Sequence, residues 1–243
     1  MARVFNGTSR LYDSSASIST LAEGRTVATW IKLNSTGEAW HVFQRSDNNS
    51  YFMGLRTNAS SQFEYYIRTL STVGWATNTT SLSTGQWYHI VGTLDSSPYT
   101  GNASCWVNGV EAVTIYQVNL NGPNHNNITL GGYNNGGGTN GSLFWTSVWD
   151  GYLSDDEIIA LSKGLCPVMV RPDSLKMFVP CGGLHGEHDG DYIGNVNNLA
   201  AISSPTWSDD SPTGLIYLSQ QIIGVSQGIV TPAVQHARLR IGV

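Results

Sequence analysis

Apolar and polar positions alternate with a period of two along most of the chain up to Asp150. In TVATWIKL, residues 26–33, the residues Val27, Thr29, Ile31 and Leu33 fall on one face, as a half-buried strand requires. HVFQR, YFMGLR, FEYYIRTL, WYHIVGTL, SCWVNGV, EAVTIYQV and NITLGGY repeat the theme between residues 41 and 133. Each is short, rich in β-branched and aromatic residues, and bounded by Asn, Gly, Ser or Asp. Asn108-Gly109 predicts a type I′ hairpin, because both central positions of that turn need positive φ. Strands recurring this closely predict an all-β, two-sheet antiparallel jelly-roll sandwich.

One segment switches to helical spacing. In LSDDEIIALSKG, Ser154 can cap the N-terminus and Glu157 can bond back to it. Asp155 and Asp156 suit the positive end of the helix dipole, Lys163 suits the last turn, and Gly164 suits the position after it. Ile158, Ile159 and Leu161 supply the apolar side. Beyond it, Leu175 to Pro180 reads as one more strand. Gly182 to Asp210 is polar and reads as loop, and Leu215 to Val243 is apolar with no acidic residue. The expected division is a jelly roll over 1–181, then a loop region and extended C-terminal arm over 182–243.

Composition narrows the function. Charged residues are 12% of the chain and the net charge is −5, with the twelve cations scattered. Nucleic acid binding needs a basic stripe along phosphates, so that class is disfavoured. No apolar run of about 18 residues predicts a membrane helix, and no apolar segment near Met1 resembles a secretory signal. Cys105, Cys166 and Cys181 are too few for a disulfide framework; either Cys166 and Cys181 pair or all three are buried thiols.

The order of VFNGTSRL, TVATWIKL, GQWYHIVGTLD, WVNGV, ITLGG and SLFWTSVWDGYLSDDEIIALSKG resembles laminin-G-like domains of the concanavalin A-like lectin/glucanase superfamily. PDSLKMFVP is similar to the closing strand of such domains, and the whole resembles those found in phage-encoded structural proteins. The resemblance covers residues 2 to 181. It implies a curved jelly roll, and it makes His89, Trp87 and Trp106 packing residues. The family sometimes binds calcium through loop aspartates, which leaves Asp95 as either a calcium ligand or a turn residue.

Glucanase chemistry needs two facing carboxylates. The E-x-D-x-x-E signature fails here: the one E-x-D is Glu187–Asp189, and Tyr192 takes the place of the third acid. HGEHDGD, residues 185–191, reads as a solvated turn. A non-enzymatic role is therefore expected, with no cofactor beyond calcium. The expectation is a virion-surface structural protein, a capsid decoration or tail-fibre component, that displays a lectin-like jelly roll; an extracellular carbohydrate-binding module is the alternative. Glycan contacts are expected on polar loop tips, at Trp40, Trp75, Tyr99, Asn102, Asn134 and Asn135. Leu215, Ile222, Ile223, Ile229, Val230 and Leu239 would join copies of the chain, or other virion proteins, through the arm.

Overall fold

The computed structural model describes residues 2–14, 24–45, 52–68, 73–97, 100–112, 117–118, 127–133, 137–181, 193 and 199–216. Tyr99, Asn134, Asn135, Ile222, Ile223, Ile229, Val230, Leu239 and the 185–191 acidic stretch lie outside the described residues.

In chain order the strands are β1 (Ala2–Asn6), β2 (Arg10–Asp13), β3 (Arg25–Leu33), β4 (Ala39–Arg45), β5 (Phe52–Thr57), β6 (Gln62–Arg68), β7 (Val73–Ser81), β8 (Trp87–Ser97), β9 (Thr100–Val107), β10 (Val110–Ala112), β11 (Gln117–Val118), β12 (Asn127–Leu130), β13 (Asn140–Asp150), β14 (Leu175–Val179), β15 (Ala200–Ile202) and β16 (Thr206–Ser208). Helix α1 (Asp155–Ser162) and a 3₁₀ turn (Pro167–Met169) lie between β13 and β14. A nine-stranded sheet runs β10-β9-β8-β3-β13-β1-β16, and a seven-stranded sheet runs β15-β2-β12-β4-β5-β6-β7. β1 and β14 share one edge of β13, β1 against residues 140–143 and β14 against residues 146–149. The ladders within both sheets are antiparallel, so the all-β sandwich read from the alternation is the fold.

The sheets face each other across one core. The predicted inward positions Val27, Ile31 and Leu33 lie in it, with Leu11, Val42, Leu55, Phe63, Tyr65 and Ile90. The close approach of the sheets depends on Gly92: a Cβ there would stand 2.4 Å from the Tyr65 ring and 2.9 Å from Leu55 Cδ2. Gly92→Ala is therefore expected to cost about 1–3 kcal/mol through overpacking, read as a lower urea midpoint at unchanged slope.

A second core covers the other face of the nine-stranded sheet. Ala28, Trp30, Val91, Trp106 and Phe144 meet Leu153, Ile158, Leu161 and Val170 there. The helix forms as its caps predict: Ser154 N–H donates to Glu157 Oε2 at 2.7 Å, and Gly164 follows at φ +90°. Ile158 and Leu161 are buried, whereas Ile159 is 39% exposed. One turn back from Leu161 is Ile158, and Ile159 sits about 100° off that stripe. Asn108 and Gly109 have φ of 52° and 78°, the hairpin geometry read from the sequence. All three cysteines are buried thiols, Cys105 and Cys181 in the inter-sheet core and Cys166 in the outer one.

The jelly roll extends past Cys181. β15 pairs with β2 and β16 with β1, so the stretch read as loop adds one strand to each sheet. Asp210 accepts the Lys32 ammonium and the Trp87 Nε1–H at 3.2 Å, and the Arg3 guanidinium lies 4.3 Å above the Trp207 ring. Leu215, expected in an intermolecular arm, packs instead on the outer core of its own domain. Ile216 N–H fixes it there by donating to Gly164 O at 2.7 Å. No helix among the described residues is long and apolar enough to cross a membrane.

Candidate functional site

The two sheets differ in what covers them. The nine-stranded sheet is packed on both faces, by the seven-stranded sheet on one side and by α1, residues 165–170 and Leu215 on the other. Among the described residues, no element of this kind packs on the outer face of the seven-stranded sheet. That face carries aromatic rings where alternation ordinarily places polar residues.

Register puts the rings in adjacent rows. Phe43 lies opposite Gly54, Gly54 opposite Tyr66, and Tyr66 opposite Trp75. Phe52 flanks them on β5. Trp40 joins from β4 because of a bulge: Trp40 pairs with Arg56 and Val42 with Leu55, so His41 is an extra residue. Val42 points inward, and strict alternation would send Trp40 inward too; the inserted His41 turns it to the outer face. Gly54 leaves room for the indole. A Cβ there would stand 3.1 Å from Trp40 Cζ3 and 2.4 Å from Val42 O.

The rings form a connected layer. Trp40 meets Tyr66 edge-on at 5.4 Å between centroids and Phe43 at 5.1 Å. Phe52 stacks on Tyr66 at 5.5 Å and 12°, and Tyr66 on Trp75 at 6.2 Å and 5°. Tyr133 reaches Phe43 at 4.6 Å. Phe43 and Phe52 are buried beneath this layer, while Trp75 is 41% exposed. Trp40, Tyr66 and Tyr133 are half-buried. From β4 to β7 the layer crosses three strand spacings, about 14 Å.

Its polar border is tied down. The Arg56 guanidinium lies 4.6 Å from the Tyr66 ring and 5.4 Å from Trp40. Its Nε and Nη2 donate to Glu64 Oε2 at 2.8 and 2.7 Å, and Nη1 reaches Glu38 Oε1 at 3.3 Å. Glu64 Oε1 accepts from Asn58 Nδ2 at 2.9 Å and Thr77 Oγ1 at 3.3 Å. Both carboxylates beside the rings are thus engaged by Arg56.

Trp40 is held from behind. Its N–H donates to Gly137 O at 2.7 Å, and Thr139 Oγ1 donates to its carbonyl at 3.0 Å. The single hydroxyl proton of Thr139 is used there, so at the 2.8 Å contact with His41 Nδ1 the histidine is the donor. Neutral His41 therefore carries its proton on Nδ1, and its buried Nε2 has no hydrogen-bond partner among the described residues. Burial pushes His41 down to about 3.

Trp40 and Trp75 are brought to one face, but from strands rather than the loop tips expected for them. Asn102 is exposed on β9 of the other sheet, opposite Asp95 on β8, and does not project from this face. Asp95 and Asn102 offer few of the six to eight oxygens calcium takes. Among the described residues, no three His, Cys, Asp or Glu side chains stand together as metal ligands. His89 is buried against Trp30 at 5.1 Å, and burial lowers it to about 3, which suits the packing role expected of it. Trp106 is buried and Trp87 half-buried in the outer core. Sequence reasoning missed Phe43, Phe52, Tyr66, Tyr133 and Arg56. The signal was present in QFEYYIR, where Glu64, Tyr66 and Arg68 alternate against buried Phe63, Tyr65 and Ile67.

A family profile described as "Concanavalin A-like lectin/glucanases superfamily" matches residues 6–159. The chain belongs to this superfamily. Solved structures of other superfamily-like sandwiches agree on the fold alone. A Bacteroides ovatus protein described as a candidate carbohydrate-binding protein is 16% identical, with a TM-score of 0.55 over 83% of this chain and 62% of that one. The CBM40 module of a Ruminococcus gnavus IT-sialidase, bound to α2,3-sialyllactose, is 16% identical, with a TM-score of 0.52 over 66% of this chain and 96% of that one. The heptameric pentraxin of Limulus polyphemus is 13% identical, with a TM-score of 0.51 over 83% and 90%. No curated protein matches the chain. The superfamily's lectin-like jelly roll is thus the frame on which the aromatic face is built.

Proposed function

We propose that this chain is a non-catalytic carbohydrate-binding domain whose ligand lies on the aromatic face of the seven-stranded sheet. The observation that carries the reading is the stacked series Phe52–Tyr66–Trp75 with Trp40 edge-on to it, on a sheet face over which no helix or strand of the described residues packs. Sugar rings present apolar C–H faces to aromatic planes, and their hydroxyls bond to polar side chains at the border. The lectin-like fold, and the CBM40 module whose structure holds a sialylated sugar, support the same class. Lack of catalysis is supported by Glu38 and Glu64, the carboxylates beside the rings, which are both bound to Arg56 rather than facing one another across an open gap. The test is binding of a panel of neutral and acidic oligosaccharides by the native chain and by Trp40→Ala/Trp75→Ala. Binding by the native chain and its loss in the variant support the reading; binding unchanged by the double substitution removes it.

Display on a virus particle, and assembly of copies through the chain beyond Ile216, are part of the same proposal. The support is compositional: the weakly charged Ser/Thr/Asn/Gly-rich chain, and an apolar, acid-free C-terminal stretch. Light scattering after size exclusion tests the assembly. The full chain is expected to form a defined oligomer, and a chain ending at Ile216 a folded monomer. Monomers in both cases would discard the arm as an assembly device.

A further inference from the structure

At one end of the aromatic face stands Arg68, with which no carboxylate of the described residues pairs. Phe52 lies opposite Arg45 on β4 and opposite Arg68 on β6. By strand alternation Arg68 projects from the same face as Tyr66, two residues before it, and stands diagonally across from Trp75. It is exposed, and its guanidinium lies 5.2 Å from the Phe52 ring. Arg56, Arg171 and Lys32 are each ion-paired within the domain. Arg68 has no ion pair and no hydrogen bond among the described residues; the contact it makes there is with the ring.

The charge is unusual for this molecule. The chain as a whole carries −5. Yet among the described residues the two carboxylates beside the rings, Glu38 and Glu64, both converge on Arg56, which leaves Arg68 at the rings with no carboxylate paired to it. The cationic end is therefore beside the stack, while the acidic side chains sit at the opposite border, one row beyond Tyr66. A guanidinium held against a ring keeps its plane and presents its outer N–H donors in a fixed fork, the shape that matches a carboxylate or sulfate. A ring-shaped ligand seated on Tyr66 and Trp75 has its edge substituent within reach of that fork.

From this placement we infer that the saccharide this face takes is anionic, with Arg68 binding its carboxylate or sulfate while Tyr66 and Trp75 underlie the ring. The inference rests on the carbohydrate-binding reading above and adds the charge of the ligand to it. Arg68 sets specificity, and the rings supply the charge-independent part of binding.

The test uses matched pairs on the full chain: trigalacturonate with its methyl ester, sialyllactose with lactose, and a sulfated galactan oligosaccharide with its desulfated form. Calorimetric titrations are run at low salt and at 0.3 M NaCl. The native chain is expected to bind the acidic member of at least one pair about tenfold or more tightly than the neutral member, since a charge-assisted bidentate contact is lost in the latter. The preference is expected to shrink at high salt, because the group is exposed. Arg68→Gln should erase the preference and leave neutral binding in place, and Arg68→Lys should restore part of it. Which pair responds separates carboxylate from sulfate. Equal affinity within every pair, or a preference that survives Arg68→Gln, overturns the anionic inference while leaving the platform standing. No binding of any member, acidic or neutral, overturns both.

Discussion

Trp75→Ala is expected to weaken saccharide binding about thirtyfold while leaving the domain folded. Covering roughly 80 Å² of ring face at about 25 cal/mol per Å² contributes about 2 kcal/mol, and that is about thirtyfold in Kd. The indole is 41% exposed and stacks on one side of Tyr66, so its removal opens no cavity in the core. Trp40→Ala should also weaken binding, but at a cost in stability. That ring closes over Gly54 and contacts Phe43, Phe52, Tyr66 and Tyr133. Calorimetry for binding and urea unfolding for stability separate the two. A Trp75→Ala protein that binds as the native chain does would mean that the ligand does not touch this ring.

Acid is expected to destabilise the fold by about 4 kcal/mol between pH 7 and pH 5. The source is His41 and His89, both fully buried and each held at about 3 by burial. An unfolded chain titrates its histidines near 6.5. Below that value the unfolded state binds protons that the native state refuses. Stability contributed by the neutral buried rings is then complete above about pH 6.5 and is lost as pH falls towards 3. Each histidine contributes about 1.4 kcal/mol per pH unit within that window. The carboxylates of Glu157 and Asp210 respond at lower pH. Arg171 and the Ser154 N–H lower Glu157 despite its partial desolvation, and Lys32 with Trp87 lowers Asp210. Those two contributions are present above the ordinary carboxylate range and fade as pH falls below it. Urea midpoints at pH 7, 6 and 5 check the histidine part. A change under about 1 kcal/mol over that range would show that the two rings accept protons in the native state.

His41 links this acid response to the binding face. Its Nδ1–H holds the Thr139 hydroxyl, which in turn donates to the Trp40 carbonyl. The residue that inserts the bulge is thus also one of the two buried histidines whose protonation the fold opposes.

The sandwich was legible in the chain because one physical signal repeats. Val27, Ile31 and Leu33 share a face in TVATWIKL, and the same face lines the inter-sheet core. The helix was legible because Ser154, Glu157 and Gly164 fill positions where a helix end leaves backbone groups unsatisfied. β15 and β16 were not legible. Each has three residues, AAI and TWS, and they are held by partners about 190 and 200 residues away in sequence, too short for any periodicity to show. Leu215 was misread for a related reason. An apolar residue in a Gly- and Pro-broken stretch looks unpaired until the outer core beneath it is known.

The binding face was half legible. Trp40 and Trp75 were chosen as exposed aromatics, but as loop residues. Trp40 belongs to β4, and its outward direction depends on one inserted residue that alternation alone misplaces by a face. Tyr66 was passed over because the other residues of FEYYIR are inward-facing (Phe63, Tyr65, Ile67) or charged (Glu64, Arg68), and one more aromatic among them reads as core. Its partners Phe52 and Trp75 come from β5 and β7, so the stack exists only once the strands are paired. Asn102 looked equivalent to these residues in the sequence and lies on the other sheet.

The most direct measurement is the indole N–H spectrum of the ¹⁵N-labelled chain during titration with an oligosaccharide that binds. The eight tryptophans report separately on the outer core and the open face. The account predicts that the Trp75 and Trp40 signals move with ligand and saturate together, while those of Trp30, Trp106 and Trp149, buried in the outer core, stay in place. Movement confined to tryptophans of the nine-stranded sheet, with Trp40 and Trp75 unchanged at saturation, would contradict it.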